Sequence, residues 1–173
     1  MEFLAPLHPA IVHAPVALII VALVFDLAGR ALDSDWWRKA SFALLVLGTL
    51  GAGVAVLSGQ EAGERAEKRQ AVPEEAVDAH EDIAKLSLWL ALGAVVTRAA
   101  AGRLGSARPA VAGLGFLLHL AAAVAVGVAA YRGGELVYRH GAGVTIEGRL
   151  LHHPPAGGAH RDEERESAEG RGR

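Results

Sequence analysis

Charge is absent from two long stretches of this chain: there is none from Ala40 to Gln60 and none from Pro109 to Tyr131. A helix needs about 20 mostly apolar residues to cross ~30 Å of hydrocarbon, and each stretch is long enough. Two further segments qualify, giving spans at about 15–31, 40–59, 83–101 and 109–131. In the first, Asp26 is the only deep charge. The third carries only Lys85 near its start and Arg98 near its end. The chain is 52% apolar and 21% charged, and such segregation excludes both a soluble bundle with charged faces and a disordered chain. The expected fold is all-α: an integral membrane four-helix bundle over residues 1–149, followed by a disordered, charge-dense tail from 150 to 173.

Several functions fall away on residue type alone. There is no Cys, which removes disulfides, iron–sulfur clusters, thiolate zinc sites and covalent haem attachment. The one Met is residue 1, so no axial thioether is available. A net charge of -2 with no basic groove gives no case for nucleic acid. No nucleophile elbow, phosphate-binding loop or His-Glu-x-x-His helix occurs, and this points away from catalysis by the chain's own side chains.

Orientation follows from the connections. Arg30, Arg38, Lys39, Arg98, Arg103 and Arg108 oppose only Asp33 and Asp35 around the two short ones. From Gly59 to Lys85, eight acids oppose four bases. By the positive-inside rule the short connections face the cytoplasm and both termini lie outside, although Arg132, Arg139 and Arg149 follow the last span on that side. MEFLAPLHPAIVHAP lacks the basic start of a cleavable signal, so the first span is expected to remain as an anchor. Trp36 and Trp37 suit an interfacial belt, and Gly133-Gly134 is expected to end or bend the last helix. Helix contacts are expected along two small-residue stripes: Gly48, Ala52 and Ala55, and Gly115, His119, Ala123, Gly127 and Ala130.

Eight histidines are the main chemical lead. With four spans, His8, His13, His80 and His140 collect at one membrane face, while His119 lies ~15 Å deep in the last span. Pro9 and Pro15 bend the entry segment, and the glycine pairs around Tyr138 and His140 can fold the chain back over the same mouth. Neutral imidazoles at similar depth suit haem iron, copper or zinc. The same side chains also suit plain hydrogen bonding at helix ends and head groups. His119 is expected either to serve a site or to bond across the bundle. Asp26 and Arg30 are spaced to pair on one helix; Glu61 and Glu64 fit a solvated helix end better than a ligand set, and His152, His153 and His160 a flexible polar tail.

The motifs HPAIVHAPVAL (His8–Leu18), FDLAGR, a histidine opening the third span and GGELVYRHGAGV (Gly133–Val144) resemble a bacterial membrane family known as domain of unknown function 2231. The likeness covers roughly residues 5 to 147. It implies a four-helix inner-membrane domain, sometimes beside Rieske or cytochrome domains, with a redox or haem connection. Carried over, that falls on His8, His13, His80 and His140, with Tyr138 nearby; Ala14 stands where relatives often have an aromatic. The expected function is a redox or metal-binding membrane subunit holding b-type haem, or otherwise copper or zinc. His13 and His80 are the expected ligands, and His8 and His140 orient them or bind propionates. The expected partners are the lipid bilayer, a redox protein or quinone, and a second copy of the chain. The rival readings are a scaffold or assembly subunit and a proton or metal transporter or sensor.

Overall fold

The computed structural model describes residues 5–70, 72–101, 108–146 and 149–150. A single helical turn, Ala5–Leu7, leads into α1 (His8–Ile11) and α2 (His13–Ala31). Three long helices follow: α3 (Asp35–Gln70), α4 (Glu74–Ala101) and α5 (Arg108–His140). Two-residue strands, β1 (Thr145–Ile146) and β2 (Arg149–Leu150), pair antiparallel after α5. Four helical segments have the length and composition to cross a bilayer: Ala5–Ala31, Asp35–Lys68, Glu74–Ala101 and Pro109–His140. Apart from Leu150, the expected tail lies outside the described residues.

Lipid is as apolar as leucine, so burying apolar surface does little to hold these helices together; close backbone approach must do so instead. The buried positions show how. On α2 they are Pro15, Ile19, Ala22, Asp26 and Gly29, and on α3 Ser41, Leu45, Gly48, Ala52 and Ala55. On α5 the seam runs Gly115, His119, Ala122, Val126, Ala129 and, beyond it, Leu136. Steps of three and four alternate, the spacing of left-handed helix packing. Helix α2 packs on α3, α3 on α4, α4 on α5 and α5 back on α2, closing a ring. Ile19, Ala22, Leu45, Ala52, Ala91, Ala94, Ala122 and Val126 form the shared core. Large apolar side chains such as Leu50, Trp89, Leu117 and Val124 face outward, as lipid-facing positions do.

One expected stripe is corrected. On α5, Gly115 and His119 are in the seam, but Gly127 and Ala130 are exposed and Ala123 is only half-buried. Repeated steps of four advance 40° each time around a helix of 3.6 residues per turn, so such a stripe drifts off the contact line. The seam returns by stepping three to Ala122.

The helices also outrun their expected spans. α3 continues past Gly59, α4 opens at Glu74, where Pro73 is expected to start a helix that runs into the third span, and α5 continues unbroken through Gly133-Gly134. The extensions are rich in helix-forming Glu, Ala, Lys and Arg, and Glu64–Lys68 and Glu81–Lys85 pair at 2.8 Å one turn apart. A second core of Ala66, Val72, Val77 and Leu136 packs this outer layer. Gly133 serves a close approach: a Cβ there would stand 3.1 Å from His80 Cε1. The chain turns after His140, where Gly141 and Gly143 adopt positive φ (66° and 75°). Gln70, at the end of α3, latches this turn. Its Nε2 donates to the Gly141 carbonyl (3.0 Å), and the Gly143 amide donates to its Oε1 (2.9 Å).

Seam geometry sets a test. A Cβ at Gly48 would lie 2.9 Å from Ile19 Cγ1 and 3.2 Å from the Ile19 amide nitrogen, whereas one at Gly127 meets nothing within 4 Å. Gly48→Val is expected to cost about 1–3 kcal/mol by overpacking. Gly127→Ala is expected to be neutral or slightly stabilising. Unfolding of detergent-solubilised protein in increasing dodecyl sulfate measures both.

Candidate functional site

Polar side chains gather at both ends of the bundle, and the two gatherings differ in how completely they are satisfied. At the end that carries the N-terminus, His8 opens α1 and is half-buried against α3. Its Nδ1 lies 2.9 Å from Ser58 Oγ, whose hydroxyl donates to the Ala55 carbonyl (3.0 Å). The single hydroxyl hydrogen serves one of these contacts at a time, and with it on the Ala55 carbonyl the His8 Nδ1–H donates to the Ser58 oxygen. His80 on α4 makes the matching arrangement: its Nδ1–H donates to the Ala129 carbonyl on α5 (3.0 Å). The Ala129 carbonyl fixes the His80 tautomer and leaves its Nε2 with a lone pair, and His8 has the same state when its Nδ1–H donates to Ser58. Neither Nε2 has a hydrogen-bond partner among the described residues. Each ring lies against a glycine, with positions for a Cβ 3.0 Å from His8 Cε1 at Gly59 and 3.1 Å from His80 Cε1 at Gly133. The two rings are near enough to interact electrostatically, and Glu81 acts on both.

The other expected site residues stand differently. His13 is exposed, and its Nδ1–H turns back to the Pro9 carbonyl. His140 lines a cleft of about 260 Å³ with Ala76 and Ala79 of α4 and Arg132, Glu135 and Arg139 of α5. Tyr138 is 91% exposed. Glu64 is exposed and paired with Lys68, and Glu61 is half-buried on α3. No three of the described His, Asp and Glu residues form a group able to hold a metal ion. His152, His153 and His160 lie outside the described residues.

At the opposite end, a buried cluster ties all four long helices together. Asp26 on α2 has a side chain only 3% exposed, and it meets Arg30 Nε and Arg98 Nη2, each at 3.3 Å. Arg98, on α4, is the hub. Its Nη1 donates to Ser41 Oγ of α3 (3.2 Å) and to His119 Nδ1 of α5 (3.3 Å), and its Nη2 to the Arg38 carbonyl (3.4 Å). Because Arg98 donates to Nδ1, the remaining hydrogen of a neutral His119 sits on Nε2, which donates to the Ile19 carbonyl (3.1 Å). Ser41 in turn donates to the Ala22 carbonyl (2.8 Å). The expected Asp26–Arg30 pair is present, and His119 takes the cross-bundle bond that was one of its two expected roles. Residue type and composition alone do not mark Arg98 and Ser41. Their signal is positional: Arg98 stands four residues after buried Ala94 and seven after Ala91, in the seam of α4.

Chemically, this inner cluster is a clamp. Arginine does not give up its proton at accessible pH, and each Nη of Arg98 has two acceptors. Ions this deep cost several kcal/mol each to desolvate, a cost offset only while the partners remain in place. Arg98→Ala is thus expected to destabilise by about 3–5 kcal/mol, leaving Asp26 buried beside a half-exposed Arg30. Arg30→Ala should cost about 1 kcal/mol or less. The joint replacement Asp26→Asn/Arg98→Gln should recover much of the Arg98→Ala loss. Thermal unfolding in detergent compares the three.

Neither curated proteins nor solved structures contain a match to this sequence. A family model described as a predicted membrane protein (DUF2231) matches residues 4–146, which takes in all four helical spans, both end motifs and every residue of the two clusters. The chain belongs to that family of membrane proteins.

Proposed function

We propose that the chain is a small electron-carrying membrane subunit that holds b-type haem through His8 and His80. The carrying observation is the matched state of these two rings: each directs Nδ1–H to a protein acceptor and keeps its Nε2 lone pair unengaged among the described residues. Imidazoles that ligate iron or zinc characteristically donate their second nitrogen to a carbonyl or another acceptor, which sets the ring plane and raises the basicity of the ligating nitrogen. Ser58 and the Ala129 carbonyl are placed to do this. The number of donors favours haem over a bare ion. Zinc takes four protein donors in structural sites and three in catalytic ones, and no trio is assembled among the described residues. Haem iron needs only two axial side chains, because the macrocycle brings the other donors. His8 replaces the expected His13 in the pair because His13 is exposed and His8 is half-buried against Ser58 and Gly59.

When bound, haem supplies a one-electron carrier. The chain's own part is to fix two ring planes, to hold them on helices braced by the seam and the inner clamp, and to set the polarity around them. Glu81 contributes a negative charge near both imidazoles. With the basic connections facing the cytoplasm of a bacterial inner membrane, this site opens on the outer side, where a redox protein or quinone exchanges the electron. A scaffold reading draws on the same hydrogen bonds, since helix-finishing histidines also bond to Ser and to carbonyls.

The test is a visible spectrum of the full chain purified in detergent from haem-replete cells. A Soret band is expected that disappears in His8→Ala and in His80→Ala but persists in His13→Ala and His140→Ala. Ser58→Ala should loosen haem roughly 10–100-fold in titration with haemin. Loss in His13→Ala with retention in His8→Ala would replace the ligand pair. Stoichiometric copper or zinc without the band points to a bare ion. Colourless protein that leaves the spectrum of added haemin unchanged leaves the scaffold reading.

A further inference from the structure

The cleft beside the outer ends of α4 and α5 has a composition that the histidine pair does not account for. We propose that it is a binding site for the phosphodiester headgroup of an anionic phospholipid. Its volume of about 260 Å³ accommodates a phosphate and the adjoining glycerol, and two alanines, Ala76 and Ala79, leave the space open. Opposite them, Arg132, Glu135, Arg139 and His140 repeat along one face of α5. Glu135 is engaged by Arg139 Nη1 at 3.0 Å, which leaves one excess positive charge. Arg132 is held from behind: its Nη1 donates to the Ala79 carbonyl at 2.8 Å. Among the described residues its Nε and Nη2, the Arg139 Nη2 and the His140 ring have no hydrogen-bond acceptor. A planar fork of donors without an acceptor suits the oxygens of a phosphate.

Depth names the source of that phosphate. The uncharged part of α5, Pro109 to Tyr131, measures ~35 Å at 1.5 Å per residue, which covers the hydrocarbon layer. Arg132 is the next residue, so the cleft lies at the level of the headgroups. Tyr131 and Tyr138 flank it on α5, exposed by 66% and 91%, as amphipathic rings of an interfacial belt are. Lipid phosphates crowd that layer, and arginines with unmet donors favour a headgroup of net negative charge over a zwitterionic one. The carboxylates of Glu75 and Asp78 on α4 are exposed, where water and salt screen them.

The experiment measures thermal unfolding of the full chain in uncharged detergent with added dioleoylphosphatidylglycerol, dioleoylphosphatidylcholine or inorganic phosphate. Phosphatidylglycerol is expected to raise the midpoint by about 3–6 °C more than phosphatidylcholine, with inorganic phosphate near zero. The increment should be lost in Arg132→Gln/Arg139→Gln and kept in Lys39→Gln at the opposite end. Equal increments from the two lipids, an increment kept in the double variant, or the same shift from inorganic phosphate overturns the proposal. If the double variant does not fold, His140→Ala gives the reading: a smaller increment supports the site and an unchanged one overturns it.

Discussion

Helices surrounded by hydrocarbon gain almost nothing from hiding leucine, and this structure is organised around that fact. What remains is contact between backbones, which small residues permit, and polar bonds strong enough to hold four helices in register. The seam of Ala, Gly and Ser supplies the first; at Gly48 the approach is so tight that a single Cβ would reach Ile19. The Arg98 hub supplies the second, reaching α2, α3 and α5 from α4. A seam of small residues has little shape to prevent one helix sliding along another. A guanidinium bonded to acceptors on three other helices resists such a slide, because any shift would strand Asp26 or His119 in a region where water cannot replace the lost partner.

The spans were legible because charge exclusion is a coarse property that survives any detail of packing. Their ends were legible in part. A helix opening near Pro73 and running into the third span is expected and is found from Glu74, whereas 65–70 looks like a polar connection yet is helical, since helix propensity and one-turn ion pairs favour the same conformation in water that hydrocarbon enforces inside the bilayer. Gly133-Gly134 looked like a terminus for the same reason that any glycine pair does. Its actual use, clearance for a ring on another helix, is a tertiary fact that propensity does not encode.

Among the histidines, topology was enough to bring four to one end, because an even number of crossings returns the chain to the same face. Which of them come together was not readable, since it depends on rotation about each helix axis. His8 and His13 are five residues apart, about 140° around a helix, so only one can face the bundle while the other faces outward. Ser58 and Gly59 on α3 decide in favour of His8. Arg98 was passed over for a related reason: near the end of a span an arginine can reach the interface by snorkelling, and only its place in the seam marks it as turned inward.

The two ends of the bundle differ in how their polar groups are satisfied. In a low-dielectric interior an unmet donor or acceptor is costly, so a polar group kept there for stability alone tends to be saturated. Around Arg98 this is the case: the Nη atoms, Asp26, both His119 nitrogens and Ser41 all have partners. At the end that carries the N-terminus, two half-buried rings are bonded to protein at one nitrogen only among the described residues. Nδ1 is satisfied on His8 and on His80, and Nε2 has no partner on either among the described residues. A neutral imidazole has one N–H, so a ring that gives it to a protein acceptor keeps its other nitrogen as an acceptor. The glycine against each ring serves the same bonds, since a Cβ at Gly59 or Gly133 would stand 3.0 or 3.1 Å from the imidazole and push it off its acceptor.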